Sequence, residues 1–302
     1  MNQLTTDRST TDLPAPMASP TRRRRMRWST STFLLYVLII GLMLWILFPF
    51  YWMVNSSLKP NTELFRFPPT WVPDVWTLEH YHWALTNERF LIPLLNSTIV
   101  ALLTAGIATS VSALAAYALA RYSVRGKRAV MGALVATQMV PGVLLVIPLF
   151  IVFTRFNLIN SHLGLALGYS TFAIPFAVLQ MRAFFANFPV ELEEAAIIDG
   201  CSRLGAFFRI TLPLSIPGVI AVALFCVVLA WNDLLFALIL TGDVTAQTVA
   251  VQLYNLSTSQ FASTNWAGII AEASIITLPV VIVFVFLQKF LVQGLTAGAI
   301  KS

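Results

Sequence analysis

Charge is scarce in this chain: 11% of its 302 residues are Asp, Glu, Lys or Arg, against roughly 25% in an average soluble domain. With 58% hydrophobic residues and a mean hydropathy of +0.79, a soluble fold could not hide its apolar surface behind so few charges. Cysteine is scarcer still. Cys201 and Cys226 are the only two, which excludes a disulfide framework or a cysteine-built metal cluster. The three histidines, His80, His82 and His162, do not converge into a ligand set. His80 and His82 would share a face only if their segment were a strand. There is no Ser-His-acid or Cys-His arrangement, no internal repeat, and no Gly-x-x-x-x-Gly-Lys-Ser/Thr phosphate loop. Metal chemistry, covalent catalysis and nucleotide hydrolysis by this chain therefore have no support in the sequence.

What the chain has instead is length in its apolar runs and many aromatics, including 8 Trp and 22 Phe. Six apolar segments cover residues 33–54, 91–119, 130–153, 163–181, 216–240 and 273–292. At about 1.5 Å per residue each spans a hydrocarbon core of roughly 30 Å, the shortest only just. The fourth is the weakest, with Gly164, Gly168, Ser170, Thr171 and Pro175. Such a helix is tolerated inside a bundle, where neighbours satisfy disturbed backbone groups. Pro141 and Pro148 in the third segment and Pro279 in the sixth invite the same reading. The expected fold is an all-α polytopic membrane protein with six transmembrane helices.

Basic residues orient it. Of 19 Lys and Arg, only Lys59, Arg66, Arg89 and Arg155 fall on one side; the rest precede the first span, lie between spans two and three or four and five, or flank the end. The positive-inside rule then places both termini in the cytoplasm. The formal charge of +6 is a topology signal, and nucleic acid is not an implied partner. Residues 1–32 read as a disordered basic cytoplasmic tail, whose Arg22, Arg23, Arg24 and Arg25 serve retention and orientation and can meet anionic lipid. The first span lies too far from the start, and is too long, for a cleaved signal peptide. Loops at 55–90 and 241–272 are too small for a catalytic domain, and the first carries Trp71, Trp76 and Trp83 as packing or interfacial anchors.

Between spans four and five, residues 187–200 form a charged, helix-forming segment. Asn187 suits a helix cap, Pro189 an early position, and Glu191, Glu193 and Glu194 the positive end of the helix. Gly200 suits the left-handed residue that stops it. At 100° per residue, Leu192, Ala195, Ala196 and Asp199 share one face, and Glu191, Glu194 and Ile198 another. This is either an interfacial amphipathic helix or a docking element facing a soluble partner.

The spacing Glu194-Ala195-Ala196, three residues, Gly200, nine residues, Ile210, one residue, Leu212-Pro213 closely resembles the cytoplasmic EAA signature of importer permeases in the ATP-binding cassette superfamily. Asp199, Phe207 and Pro217 further resemble its carbohydrate-uptake branch, and the smaller maltose-type subunit with six spans is the nearer likeness. The resemblance runs over about 33–302, more diffusely outside the motif, to a tail at 294–301. It implies a permease domain over 33–302 with a coupling segment at 187–213. Glu194, Ala195 and Ala196 would sit in a cleft of a cytoplasmic ATPase subunit, Gly200 would make the turn, Ile210, Leu212 and Pro213 would lead into the next span, and Asp199 would count among the coupling residues. The implied partners are a second permease, two cytoplasmic ATPase subunits that use ATP and Mg2+, an extracytoplasmic sugar-binding protein and a carbohydrate. This chain would bind no cofactor and hydrolyse nothing, and its place would be the bacterial cytoplasmic membrane. Cys201 stands where the family usually has a small residue.

Candidate pathway groups are polar residues within the spans. Trp231-Asn232-Asp233, in or near the outer half of the fifth span, line a pore, contact sugar, or join a helix–helix hydrogen-bond network; the tripeptide resembles a recurrent stretch of the sugar permeases. Asn96 in the second span and Gln138 in the third are placed inside the bundle, as pathway or packing groups. Glu272 is expected at the membrane interface or paired with the partner permease. Ala101, Ala105, Ala108, Ala113, Ala116 and Ala120, with Gly164 and Gly168, make smooth helix faces that pack either within this bundle or on a second permease. Two other readings stay open: a secondary sugar transporter, with Asp233 or Glu272 as coupling group, and a membrane scaffold that moves no solute.

Overall fold

The computed structural model describes residues 30–243, 245–259 and 265–299. The chain divides into two compact units, Met1–Pro49 and Phe50–Ser302. In the first, residues 30–49 are the exposed, apolar part of helix α1 (Thr30–Ser57). The tail expected over 1–32 lies outside the described residues as far as position 29, and helix is already present from Thr30.

The second unit takes over within α1 and continues through α2 (Asn61–Leu64), α3 (Glu79–Thr86), α4 (Glu88–Arg121), α5 (Lys127–Met139), α6 (Gly142–Arg155) and α7 (His162–Ala186). Then come α8 (Glu191–Ile198), α9 (Arg203–Ala206), a π-helical turn (Phe207–Thr211), α10 (Leu212–Leu214), α11 (Ile216–Asn232), α12 (Leu235–Leu240), α13 (Val249–Thr258) and α14 (Trp266–Ala299). No strand occurs among the described residues, so His80 and His82 lie on a helix and the shared-face geometry of a strand does not form. Helices α1, α4, α7 and α14 are long and apolar enough to cross a membrane, and two bent pairs raise the number of spans to six if each pair is one.

Those bends are where the third and fifth segments depart from single helices. The third breaks between α5 and α6 with a bend of 99°. Pro141 has no N–H to continue the ladder and holds Val140 in extended backbone (φ −76°, ψ 121°). Pro148, Pro175 and Pro279 stay inside helices. The fifth bends by 79° before α11 and breaks again after Asn232, where Asp233 Oδ1 accepts from the N–H groups of Phe236 (3.0 Å) and Ala237 (3.3 Å). That carboxylate satisfies donors that the break would otherwise leave orphaned at the start of α12.

The core is built on α4, α7 and α11. Ala101, Ala105, Ala108, Ala113 and Ala116 of α4 are buried, as are Ala166, Ala173 and Ala177 of α7. Small side chains let the two backbones approach closely, the usual source of helix association in a bilayer. The smooth faces therefore pack this chain's own bundle. Gly168 abuts Phe153 and Leu240, and Gly164 abuts the Leu158 carbonyl.

The 55–78 connection is folded around one carboxylate. Glu63, buried, accepts from Thr70 Oγ1 (2.6 Å) and from the N–H groups of Asp74 (3.0 Å) and Val75 (3.4 Å). The Thr70 hydroxyl, then the Asp74 N–H, hold its pKa below the ordinary 4.5. A depressed acid stabilises the fold above its unfolded value and loses that contribution as pH falls through the folded one. The protection of residues 60–78 against hydrogen exchange, taken relative to the intrinsic rate at each pH, is thus expected to hold from pH 7 to about 5 and to fall below the ordinary carboxylate range. Glu63→Gln should be less protected than the parent above the ordinary carboxylate range, converge with it below, and show no such step.

Candidate functional site

Helix α8 stands out by exposure. Leu192, Glu194, Ala195, Ile198 and Asp199 are exposed and Ala196 is half-buried, with Ile198 at 86%. Both faces read from the sequence are therefore open. Its start differs from the expected one: Asn187 closes α7, its N–H donating to Phe184 O (3.1 Å). Helix α8 begins instead at Glu191, with the N–H groups of Glu193 and Glu194 each 3.0 Å from Val190 O. Its end is as expected. Gly200 sits at φ +91°, the Cys201 N–H reaches Ala196 O (2.9 Å) and the Gly200 N–H reaches Ile197 O (3.0 Å). This is a Schellman closure made wholly by main chain.

One side chain of α8 is buried, and it is Glu193, which the face analysis left off both faces. Its Oε1 accepts from Arg121 Nε (2.7 Å) and Thr211 Oγ1 (2.8 Å), and its Oε2 from Tyr117 OH (3.0 Å). Arg121, as buried as its partner, also donates from Nη2 to Phe188 O (3.1 Å). Tyr117 OH reaches Arg203 O (3.4 Å), and its ring packs on Phe207 (4.6 Å between centroids). The last turn of α4 is thereby tied to both sides of α8 and to the π turn. Ile210, within that turn, and Leu212, just past it, are half-buried, and Pro213 is exposed. Glu193 lies on neither open face, but neither does the exposed Ile197, so the sequence carried no distinctive signal for it, nor for its partner Arg121, 72 residues away.

The expected pathway residues separate. Asn96 is a fastening: its Nδ2 donates to Thr245 O and Gln247 O (3.0 Å each), and its Oδ1 lies 2.8 Å from His162 Nε2. Beside it Ser97 Oγ accepts from the Val249 N–H (2.8 Å). Gln138 is exposed on α5, contrary to the expected place inside the bundle, because the Pro141 bend ends α5 away from the α4–α7 core. Trp231 is buried beside Thr98, Ala101 and Pro279. Asp233 caps α12, while Asn232 is exposed and donates to Val228 O (2.8 Å). Asn232 and Asp233 also line a cleft of about 290 Å³ with Tyr169, Phe172 and Phe236. Glu272 is fully buried rather than interfacial, since α14 starts at Trp266, ahead of the expected span. A larger cleft of about 840 Å³ opens at the opposite end from α8, lined by Trp83, Arg89, Asp243, Gln247, Gln252 and Asn255 among others.

Residues 108–297 match the family described as the binding-protein-dependent transport system inner membrane component. The diacetylchitobiose uptake system permease protein DasC of Streptomyces coelicolor is 35% identical over 266 residues, 88% of this chain and 94% of that protein. The sulfoquinovosyl glycerol transport system permease protein SmoH of Agrobacterium fabrum is 38% identical over 258 residues, 85% and 89% of the two chains. A solved bacterial transporter that imports the acidic polysaccharide alginate shares the fold, with TM-score 0.73 over 86% of this chain and 98% of that one at 21% identity. This chain belongs to the family of membrane permease components of binding-protein-dependent transport systems.

Proposed function

We propose that the chain is one of two permease subunits of a bacterial ATP-driven carbohydrate importer, with both termini in the cytoplasm. The observation that carries this reading is α8: an open helix with the Glu194-Ala195-Ala196 and Gly200 pattern, anchored to the bundle by one buried ion pair. Such an element suits docking into a soluble subunit. Relatives named for diacetylchitobiose and sulfoquinovosyl glycerol transport support a glycoside as cargo. Residues 33–302 would form the permease domain and 187–213 its coupling segment. Two cytoplasmic ATPase subunits would use ATP and Mg2+, and this chain would bind neither.

Closure of the ATPase dimer on ATP would move α8 and rotate the attached helices as a rigid body. The bundle would then open toward an extracytoplasmic binding protein, and hydrolysis would reset it. The large cleft, with Trp83 beside amides and charged groups, has the aromatic-plus-polar lining that suits a polyol. The cleft at the α11–α12 break would continue the path, with Asn232, Phe172 and Phe236 as lining groups. Asn96, Trp231 and Asp233 would shape the path from the helix network behind it.

The test is reconstitution with the neighbouring transporter subunits, followed by sugar uptake and ATP hydrolysis over a carbohydrate panel. Expected is ATPase stimulation by the loaded binding protein, with uptake that survives collapse of the ion gradient. Uptake that fails with the gradient while ATP persists would establish secondary transport; partner binding without uptake would establish a scaffold. Glu194→Ala should lower assembly or stimulated ATPase about 3- to 30-fold, within the range of coupling mutations, with membrane insertion unchanged.

A further inference from the structure

The Glu193–Arg121 pair joins α8 to a helix far from it in sequence. Helix α8 is linked by main chain only to α7, through 187–190, and toward α11, through 199–215. It has no main-chain link to α4, yet α4 makes the most extensive packing in the bundle, against α7 and then α11. Glu193 is the only buried residue of α8, so beside the main-chain links its side chain is the most direct path by which a push on the open face enters the core. It meets three donors there, two of them from the last turn of α4. Arg121 adds a second grip, on the Phe188 carbonyl ahead of α8. A charge pair with both partners this buried is costly to separate, because each ion would be left without water or partner.

We propose that Glu193 and Arg121 are positioning residues, forming the joint by which displacement of α8 is handed to α4, so that α4, α7 and α8 move as one body. Tyr117 and Thr211 brace the joint. The π turn contributes directly: Thr211, its last residue, presents its hydroxyl to Glu193 Oε1, a use typical of π-helical insertions at working sites. The inference rests on the reading that α8 docks an ATPase subunit. It goes further by assigning residues outside the docking face and by choosing one helix as the receiver.

The experiment uses the reconstituted assembly with nitroxide labels at Ile197, exposed on α8 but outside its two docking faces, and at exposed Leu114, after replacing Cys201 and Cys226 by serine. The α8–α4 distance is expected to stay constant across apo, ATP-bound and ADP-bound states. In Glu193→Gln, which keeps the shape and removes the charge, it should vary with nucleotide. The number of sugar molecules moved per ATP should fall about 3- to 30-fold. Arg121→Gln should lower the ratio at least as far, since it also releases the Phe188 carbonyl, and the double variant should lose less than the two single losses combined, since both remove the shared ion pair. Glu193→Asp should restore part of the ratio. If a charge variant does not assemble, Tyr117→Phe carries the test, keeping the ring packing and losing one bond, with a smaller fall in the same ratio. The proposal is overturned by a label distance that changes with nucleotide in the unaltered joint, or by an unchanged transport ratio in Glu193→Gln or Tyr117→Phe. Absence of any sugar stimulation in the parent assembly would instead count against the carbohydrate reading, and the label distance would still decide the joint.

Discussion

Gly164→Ala is expected to destabilise the bundle strongly, although alanine in place of glycine ordinarily stabilises a helix by about 1 kcal/mol. The reversal comes from what lies above the glycine. A Cβ there would stand 1.9 Å from the Leu158 carbonyl oxygen and 2.8 Å from Ser161 Oγ. The first obstacle is main chain, held by the bond from Leu158 N to Phe153 O (2.9 Å) and by Ser161 Oγ donating to Leu158 O (2.8 Å). No side-chain rotation relieves it. The Ser161 cap on the Gly164 N–H (3.0 Å) would break with it, so the cost is overpacking, roughly 1–3 kcal/mol, plus loss of a cap worth about 1 kcal/mol. Thermal unfolding of the detergent-purified chain, with the yield of inserted protein, measures it. A melting temperature equal to the parent's would show that the 158–161 turn yields freely.

Asn96→Leu is the second large expected effect, and it acts on a loop rather than on a span. Leucine keeps the volume but leaves the carbonyls of Thr245 and Gln247 without their donor and His162 Nε2 without its partner. A buried polar group left unpaired costs about 1–3 kcal/mol; of the three partners Gln247 is buried, His162 half-buried and Thr245 exposed, so a loss of about 1–3 kcal/mol is expected, concentrated where α4 meets the 245–249 stretch. Hydrogen exchange should rise in that stretch and at the start of α13 while the α4–α7 core stays protected. Asn96→Asp should recover less than half of the protection, because a carboxylate cannot donate to two carbonyls. Uniform exchange across the chain would mean that Asn96 holds the whole bundle together.

Most of the architecture was legible in the sequence because membrane spans announce themselves by length and apolarity, and because the alanine and glycine faces keep helical spacing. The four unbroken helices occur where apolar runs occur. The breaks after Met139 and Asn232 were harder to read. Proline inside a helix is tolerated at positions 148, 175 and 279 and breaks it at 141, and only tertiary packing separates these outcomes. Asn187 misled for a related reason: a residue type that starts one helix also ends another, and here α7 runs longer than its apolar run. At the candidate site the docking pattern was plain, being local. The Glu193 network was not, because its members come from three separate segments and none has a distinctive neighbour in sequence. Asn96 and Asp233 stood out in the sequence as polar groups within apolar runs, and in the structure both make fastening hydrogen bonds.

Helix α8 ends in a closure built from backbone bonds and is held by a single inward carboxylate. Its remaining side chains therefore have no duty to this chain's own fold. They are free to drift with the surface they meet, as the cut of a key changes while the bow stays the same. On the proposed reading that α8 docks an ATPase subunit, exchanging only the open residues Leu192, Glu194, Ala195, Ile198 and Asp199 should re-address the permease to a different ATPase without disturbing the helices behind it. A family tree built on those positions would follow the motor, and one built on the clefts would follow the diet.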